Sequence, residues 1–174
     1  MCEIRSVHKS EFPEASWDWG WIAVEDGVAV AVLTTTATPV DESDNPIPPV
    51  RWAKVQIVYS TVKGCGYSLL QHGKTELNSI DWPLFRSGRS TEGGEAVCEK
   101  AHVTLHDRTI AEQKRYIRKK EANDRADSRG TPRLYTLPEH APISRMCVSK
   151  AIEIGKKDLE QAASFRNLNV PDSD

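Results

Sequence analysis

The chain has 174 residues, of which 39% are hydrophobic and 28% charged, and its formal net charge is −2. This length predicts a single domain whose core is large enough to need neither disulfide bonds nor a structural metal. The near-neutral charge excludes proteins that coat nucleic acid by bulk charge alone. No apolar run reaches the roughly 20 residues that cross a bilayer, and the N-terminal residues lack the apolar core of a signal peptide.

The cysteines are scattered along the chain and form no C-x-x-C pair; they are Cys2, Cys65, Cys98 and Cys147. A secreted disulfide framework or a zinc site would place its cysteines closer together. The sequence therefore predicts reduced thiols, no metal site and a cytoplasmic protein without a membrane partner.

The first 60 residues carry strand signals separated by turn residues. Residues 19–24 and 28–36 are rich in β-branched side chains and flank Asp26-Gly27, which supplies the positive φ angles of a two-residue hairpin turn. The segment 37–50 contains four prolines and is predicted to be irregular. Residues 51–59 form a predicted third strand, with alternate side chains on opposite faces.

Helical signals begin after this strand. A helix over residues 67–78 would face a sheet with Leu69, Leu70, Gly73 and Leu77. A short fourth strand is predicted at 80–86, where Pro83 limits it to an edge or a strand end. The residues from Ser90 onward start like a capped helix.

The chain changes character beyond residue 107. Residues 108–133 contain nine Lys or Arg and four acidic residues, so this segment carries about +5 and the rest of the chain about −7. Residues 109–127 have too few apolar positions for a buried helix. They predict a solvated helix, with a phosphate-binding surface or a disordered linker as alternatives. Residues 144–165 predict a final amphipathic helix.

The most informative segment joins the third strand to the first helix. The strand ends, Gly64-Cys65-Gly66 follows, and the helix begins at once. Glycine permits close backbone approach, and a helix N-terminus presents unpaired N–H groups, so this arrangement suits a phosphate with Lys63 at the rim. An ordinary tight turn remains the alternative. A dinucleotide fingerprint is excluded because Leu69 stands where its third glycine belongs.

These elements resemble the GNAT superfamily of N-acyltransferases. The order of a β-hairpin, a strand, a glycine loop, a helix and another strand is that of the family. The family's acyl-CoA loop reads Arg/Gln-x-x-Gly-x-Gly/Ala before two aliphatic residues, and this chain reads Thr61-Val-Lys-Gly-Cys-Gly before Leu69-Leu70. Thr61 departs from the basic or amide residue usual at the first position, and Lys63 would supply the charge.

The resemblance implies a site for acetyl-CoA or another acyl-CoA. The backbone amides of the loop would hold the pyrophosphate, and the end of the strand would pair with the pantetheine arm. The cofactor-binding residues implied are Ile57, Val58, Tyr59, Lys63, Gly64, Cys65, Gly66 and Tyr67.

A second similarity concerns phage-encoded GNAT-like proteins. In these, a His-Ser…Thr-x-x-Gly pattern follows the strand, and Arg86-Ser87 with Thr91-Glu-Gly-Gly would be this chain's version. Ser87 and Thr91 are therefore the implied substrate-binding residues. Cys98 lies where the family's fourth helix carries the tyrosine that protonates the departing thiolate.

Acyl transfer to an amine needs a base, a carbonyl donor and an acid for the thiolate. By family analogy the strand-end N–H near Tyr59 polarises the carbonyl. Tyr59 and Cys98 are the candidate acids, and Asp81 and Glu92 are the candidate bases.

Two other functions remain open. One is a cysteine hydrolase with Cys65 as nucleophile at a helix N-terminus and His102, on a strand over 101–105, as its base. The other is a non-catalytic phage-type protein that grips a partner or nucleic acid through residues 108–133.

The sequence thus predicts an α/β (α+β) fold with a mostly antiparallel twisted sheet flanked by helices. Residues 1–107 would form a GNAT-like acyl-CoA-binding domain and residues 108–174 a helical extension. The expected activity is transfer of an acyl group to an amine in the cytoplasm, the host's if a phage encodes the chain. The acceptor is unassigned, and a homodimer is compatible with the sequence.

Overall fold

The computed structural model describes residues 2–172, which form seven strands and four helices. The strands are β1 (Glu3–Ser6), β2 (Trp19–Glu25), β3 (Val28–Ala37), β4 (Ala53–Ser60), β5 (Leu84–Phe85), β6 (Arg89–Ser90) and β7 (Ser144–Arg145). The helices are α1 (Cys65–Ser79), α2 (Glu92–Lys100), α3 (Asp107–Arg129) and α4 (Val148–Phe165).

Five strands form one mixed sheet in the order β1-β2-β3-β4-β5. The first three pairings are antiparallel, and β5 runs parallel to β4. The predicted hairpin is confirmed: Asp26 and Gly27 adopt positive φ angles of 51° and 76° between β2 and β3. The general α+β class predicted from the sequence is therefore confirmed.

Helices cover both faces of this sheet. On one face α1 packs Leu69, Leu70 and Leu77 against Trp21 and Leu33 in the larger core cluster. On the other face α4 packs against β2, β3 and β4 in a second cluster, with Trp17, Ile22, Val32, Leu159 and Ala162 among its members. The predicted C-terminal helix is therefore part of the fold's core.

Strand β4 contains a β-bulge. Thr34 pairs with Ile57 and Thr35 with Val55, so Gln56 is one extra residue in β4. A bulge bends its strand and increases the local twist. Strand β5 pairs with β4 only at Ala53 and Lys54, because β5 ends at Phe85. We call the open region beside β4 beyond this pairing the β4–β5 fork.

Because of the bulge, the side chains of residues 51–59 do not alternate regularly between the two faces of the sheet, although the sequence predicted regular alternation. Val55 and Val58 would lie on opposite faces of a regular strand because they are three residues apart. Both pack against the same core cluster, on the α1 face. The extra residue at Gln56 shifts the alternation by one position, so Val55 and Val58 lie on the same face of the sheet.

Other strands differ from the sequence predictions because they depend on distant partners. Strand β1 was not predicted; it pairs with β2. The predicted fourth strand at 80–86 shortens to Leu84–Phe85, and residues 101–105 form no strand. His102 lies instead in a turn with a φ of 56°. The short strands β6 and β7 pair with each other and join the segment before α4 to the segment before α2.

Helix α3 confirms the predicted solvated helix. It spans 23 residues, and only Asn123 and Ala126 are buried within it. These two positions lie under the following connector, where the Asn123 carboxamide accepts from the amides of Leu134 and Tyr135. Among residues 2–172, no helix combines the length and the apolar character needed to cross a membrane.

The prediction of four reduced thiols is wrong for two of them. Cys2 and Cys65 form a disulfide across a sequence separation of 63, with Cα atoms 6.7 Å apart. Pairing between β1 and β2 brings the N-terminus to the α1 face, where Cys65 is buried. Cys98 and Cys147 are free.

Gly73 allows α1 to approach the sheet closely. A Cβ at Gly73 would lie 2.9 Å from Leu33 Cδ2 and 3.1 Å from Trp21 Cζ3. We expect Gly73→Val to lower the free energy of unfolding by about 2 kcal/mol through overpacking. Urea unfolding followed by tryptophan fluorescence measures this change.

Gly93→Ala in α2 is the matched control, because a Cβ there meets nothing within 4 Å. Replacing a helical glycine by alanine in open space should stabilise by up to about 1 kcal/mol. Equal effects of the two substitutions would contradict the packing of α1 described above.

Candidate functional site

A cavity of about 740 Å³ lies at the β4–β5 fork. Its walls come from β4, the β4–α1 loop, the segment from Arg86 to Thr91, α2 and the start of α4. Apolar residues of α4 form one side of the opening, among them Val148 and Ile152, which are exposed. The cavity lies where β5 ends and leaves one edge of the bulged strand β4 open.

The β4–α1 loop presents free amides to this cavity. Gly64 has a φ of 89°, and α1 begins at Cys65 without a side-chain cap. No hydrogen bond from the amides of Gly66 and Tyr67 is found within residues 2–172. A helix N-terminus with unpaired N–H groups carries a partial positive charge and attracts anions. The structure therefore has a helix start with two unpaired amides at the predicted turn, and phosphate binding there stays a prediction.

Gly66 brings this helix end close to the strand. A Cβ at Gly66 would lie 3.4 Å from Val58 Cγ2 and 3.8 Å from Ser60 Cβ. The loop and the last residues of β4 thus form one continuous wall of the cavity. A ligand bound to the amides of α1 would extend along β4.

Within residues 2–172, the edge of β4 that faces the cavity has no strand partner from Val55 to Ser60. On its other edge β4 pairs with β3 along its length. An unpaired strand edge offers N–H and C=O groups to an extended ligand that has amides of its own. The cavity therefore joins a helix start with unpaired amides to an open strand edge.

The charges that line the cavity have one sign. Four basic residues line it, and among the described lining residues none is acidic. These basic residues are Lys63, Arg86, Arg89 and Lys100. Lys100 Nζ lies 4.9 Å from the centre of the Tyr67 ring, beside the start of α1. A cavity lined in this way attracts anionic ligands.

Cys98 lies in the cavity wall and stays protonated at neutral pH. Its residue is only 3% exposed, and burial raises the pKa of the thiol to about 11, against the opposing effect of the Arg86 charge. A thiol with a raised pKa is a weaker acid than an ordinary thiol, so it can pass a proton to a thiolate only if it regains one in the same step. The role of Cys98 as an acid stays a prediction.

Tyr59 lies on the α4 side of β4. A Cβ at Gly155 would be 2.5 Å from Tyr59 Cγ, so the absence of a side chain at Gly155 makes room for the ring. Tyr59 lines both the main cavity and a smaller one of about 180 Å³ beside α4. Its role as an acid stays a prediction.

The structure brings most of the predicted site residues to this cavity. Lining residues include Ile57, Val58, Tyr59, Lys63, Gly64, Gly66, Tyr67, Ser87, Thr91 and Cys98. Thr91 caps α2 by accepting from the Gly94 amide at 3.0 Å, and Ser87 accepts from the Arg89 amide at 3.2 Å. The Thr91 and Ser87 hydroxyls therefore hold the backbone of the cavity wall in place and also line the cavity.

The two candidate bases do not line the cavity. Asp81 lies past the C-terminal end of α1, about 20 Å from the helix N-terminus at 1.5 Å per residue. Its backbone oxygen accepts from Arg51 Nε at 3.0 Å. Glu92 is exposed in the first turn of α2. Helix α1 carries Asp81 away from the cavity, whereas Glu92 lies between the lining residues Thr91 and Gly93 but is not itself a lining residue.

Cys65 belongs to the predicted set but cannot act as a thiolate nucleophile while it is bonded to Cys2. His102, its proposed base, is exposed in the turn after α2. The cysteine hydrolase prediction therefore finds no support in this arrangement.

Sequence reasoning missed a buried carboxyl group next to the cavity. Asp158 on α4 is 5% exposed, and its Oδ2 accepts from Thr34 Oγ1 at 3.1 Å and from Gln56 Nε2 at 3.4 Å. Burial raises the pKa of this carboxyl above its usual range, although both hydrogen bonds oppose the shift. The signal was an acidic residue four positions from Ile154 and Ala162, within the apolar face of the predicted helix.

Comparison of the chain with protein-family models, with curated proteins and with solved structures finds no match.

The two free cysteines should react with thiol reagents at very different rates. Cys147 is exposed, and a hydrogen bond with Ser149 lowers the pKa of its thiol. Cys98 is buried with a pKa of about 11, so it should react at least about 100-fold more slowly at pH 7.5. Titration of the unreduced native protein with Ellman's reagent should show a single fast thiol.

Cys147→Ser is the control and should remove the fast phase. Two or more fast thiols in the wild type would contradict either the Cys2–Cys65 disulfide or the burial of Cys98.

Asp158→Asn should change how stability depends on pH. Because the folded pKa of Asp158 is raised above the unfolded value, the folded state binds this proton more tightly. Ionisation therefore lowers the free energy of unfolding as pH rises through the folded pKa. An asparagine cannot ionise, and its carbonyl can still accept from Thr34 and Gln56. We expect the stability of the variant relative to wild type to grow from pH 4 to pH 8.

Urea unfolding at several pH values measures this difference. Glu160→Gln, an exposed carboxyl on the same helix, controls for the loss of one negative charge. A constant difference between Asp158→Asn and wild type across the pH range would show that Asp158 is not desolvated as described.

Proposed function

We propose that this protein is a GNAT-type N-acyltransferase that takes an acyl group from acyl-CoA to an amine. The single observation that carries the proposal is the cavity at the β4–β5 fork, which combines uncapped α1 amides, an unpaired β4 edge and an entirely basic charged lining. Coenzyme A has the matching features, because it joins phosphates to an extended arm with two amides. The order of the elements supports the resemblance noted in the sequence.

The pyrophosphate would bind at the start of α1. The amides of Gly66 and Tyr67 and the side chains of Lys63 and Lys100 all lie at this end of the cavity. Charge-assisted hydrogen bonds to phosphate are about twice as strong as neutral ones. The pantetheine arm would then follow the open edge of β4 from Ser60 toward the point where β5 ends.

The thioester would lie near the narrow end of the fork, beside Cys98. The amine nitrogen attacks the thioester carbonyl carbon, the C–N bond forms and the C–S bond breaks. The proton lost by the nitrogen ends on the departing thiolate, and Cys98 would relay it by giving its own proton to the thiolate as it receives the other through water, so that its thiol is unchanged overall. No acidic side chain lines the described cavity, so the acceptor would enter as a neutral amine. Much of the rate would come from holding the two reactants together.

A second candidate function rests on α3. Of the basic residues in the segment 108–133, only Arg108 and Arg133 form ion pairs within the described structure, with Glu112 and Asp127. The remaining cations are exposed on a helix that projects from the sheet. This surface favours contact with a polyanion such as nucleic acid, either as an additional property of the enzyme or as the main activity of a non-catalytic protein.

Calorimetric titration with acetyl-CoA tests the proposed function. We expect one binding site per chain, with a dissociation constant in the micromolar range. Gly66→Glu would place a carboxylate beside the amides of α1 and should weaken binding at least tenfold, by about 1.4 kcal/mol or more. Circular dichroism should confirm that the variant keeps its fold.

Gly64→Ala and Gly27→Ala form a matched pair. Both glycines have positive φ angles, 89° and 76°, and open space around the position of a Cβ. Both substitutions carry a similar backbone strain, but only Gly64 lies in the cavity. Acetyl-CoA affinity should fall in Gly64→Ala alone. Unchanged affinity in both Gly66→Glu and Gly64→Ala, or no binding to the wild type, would refute the proposed site.

A further inference from the structure

Two arginines in the cavity wall, Arg86 and Arg89, have few partners for their N–H groups within residues 2–172. The Arg86 side chain is 13% exposed, and its only ionic neighbour within residues 2–172 is Glu95, at a long distance of 3.7 Å. The Nε atom of Arg89 is buried without a hydrogen-bond partner. Each guanidinium carries five N–H donors, which water or an acceptor must satisfy.

The one nearby carboxylate is already occupied. Glu95 Oε2 lies 2.6 Å from Arg145 Nη1, much closer than its other oxygen lies to Arg86. One carboxylate is therefore shared by two guanidinium groups, and Arg89 forms no ion pair within residues 2–172. Because Arg86 and Arg89 are only partly exposed, an anionic ligand group that completes their hydrogen bonds would be favoured here.

This pair lies apart from the phosphate end of the cavity. Arg86 follows β5 directly and lies near Cys98, on the side where β4 and β5 still pair. Lys63 follows the far end of β4, and the strand between Lys54 and Ser60 spans about 20 Å. Along α2, Glu95 and Lys100 are separated by about 7.5 Å of helix. The cavity thus has two separate basic ends.

We propose that Arg86 and Arg89 form a carboxylate-binding subsite at the acyl end of the cavity. The carboxylate would belong either to the acyl group, as in a dicarboxylic acyl-CoA, or to an amine acceptor such as an amino acid. A planar guanidinium binds a carboxylate through two parallel hydrogen bonds, which explains two arginines where a lysine would supply only a point charge. The assignment to the acyl end rests on the proposed function, whereas carboxylate binding by these residues does not.

The donor arm of the test compares acyl-CoA pairs of equal chain length. Malonyl-CoA is titrated against propionyl-CoA, and glutaryl-CoA against pentanoyl-CoA, by calorimetry. If the acyl group carries the carboxylate, the acidic member of at least one pair should bind about tenfold more tightly to the wild type. Arg86→Gln with Arg89→Gln should abolish this ratio. Lys63→Gln is the matched control and should weaken both members of a pair equally.

The acceptor arm uses the wild type saturated with CoA, or the free protein if CoA does not bind. β-Alanine is titrated against its neutral amide, and glutarate against its neutral diamide, while the Nε–H resonance of Arg89 is followed by NMR. A selective shift with the carboxylates, lost in Arg86→Gln, supports the subsite even if the acyl-CoA proposal fails.

The outcomes separate the two proposals. Binding of neutral acyl-CoAs without any preference for a carboxylate in either arm would overturn the subsite and leave the acyltransferase proposal standing. Equal loss of affinity for CoA itself in Arg86→Gln and Lys63→Gln, without carboxylate preference, would show that the arginines hold the CoA phosphates and would also overturn the subsite.

Discussion

The structure depends on one extra residue in β4. Gln56 has no partner of its own in β3, so β4 bends and twists more strongly at this point. Strand β5 ends at Phe85 after two residues paired with β4, and the edge of β4 beyond Lys54 faces the cavity. The bulge sets the direction of β4 along the cavity, and the early end of β5 leaves the backbone groups of that edge unpaired.

A bent strand with an open edge needs support from both faces of the sheet. On one face Val55 and Val58 pack into the core beneath α1. On the other face α4 covers Tyr59, and Asp158 bonds to both Thr34 and Gln56. These two bonds join β3, the bulge and α4 at a single carboxyl group. A buried carboxyl is expensive to desolvate, and here it connects the bulge to the helix that borders the cavity opening.

Local sequence patterns predicted the elements whose signals are local. The β2–β3 turn follows from Asp26-Gly27, and the start of α1 follows from the glycine loop. The bulge, β1 and the β6–β7 pair depend on partners far away in the chain, so no local pattern could place them. The disulfide could not be predicted from local patterns for the same reason, because Cys65 meets Cys2 only after β1 joins the sheet.

The residues of the candidate site also divide into those that local sequence patterns could predict and those that depend on the folded structure. The unpaired amides of the loop were predictable because glycine spacing and a helix start adjoin in the sequence. The positions of Asp81 and Glu92 were not, because they depend on how α1 and α2 pack around the cavity. Arg86 and Arg89 could be read only as charged residues between two elements; their partial burial and the ion pair between Glu95 and Arg145 appear only after folding.

The basic lining of the cavity results from where the fold places its charged residues. It does not follow from the composition of the chain. Outside residues 108–133 the chain carries a net charge of about −7, so a cavity built from that part would be expected to include acidic side chains. Every lining residue lies outside that segment, yet four are basic and none of those described is acidic. Glu95 contacts Arg86 from outside the lining, and the lining itself therefore presents only positive charge to the cavity. Fields inside a cavity are screened less than those on an open surface, so this arrangement attracts anions more strongly than the net charge of the chain would suggest.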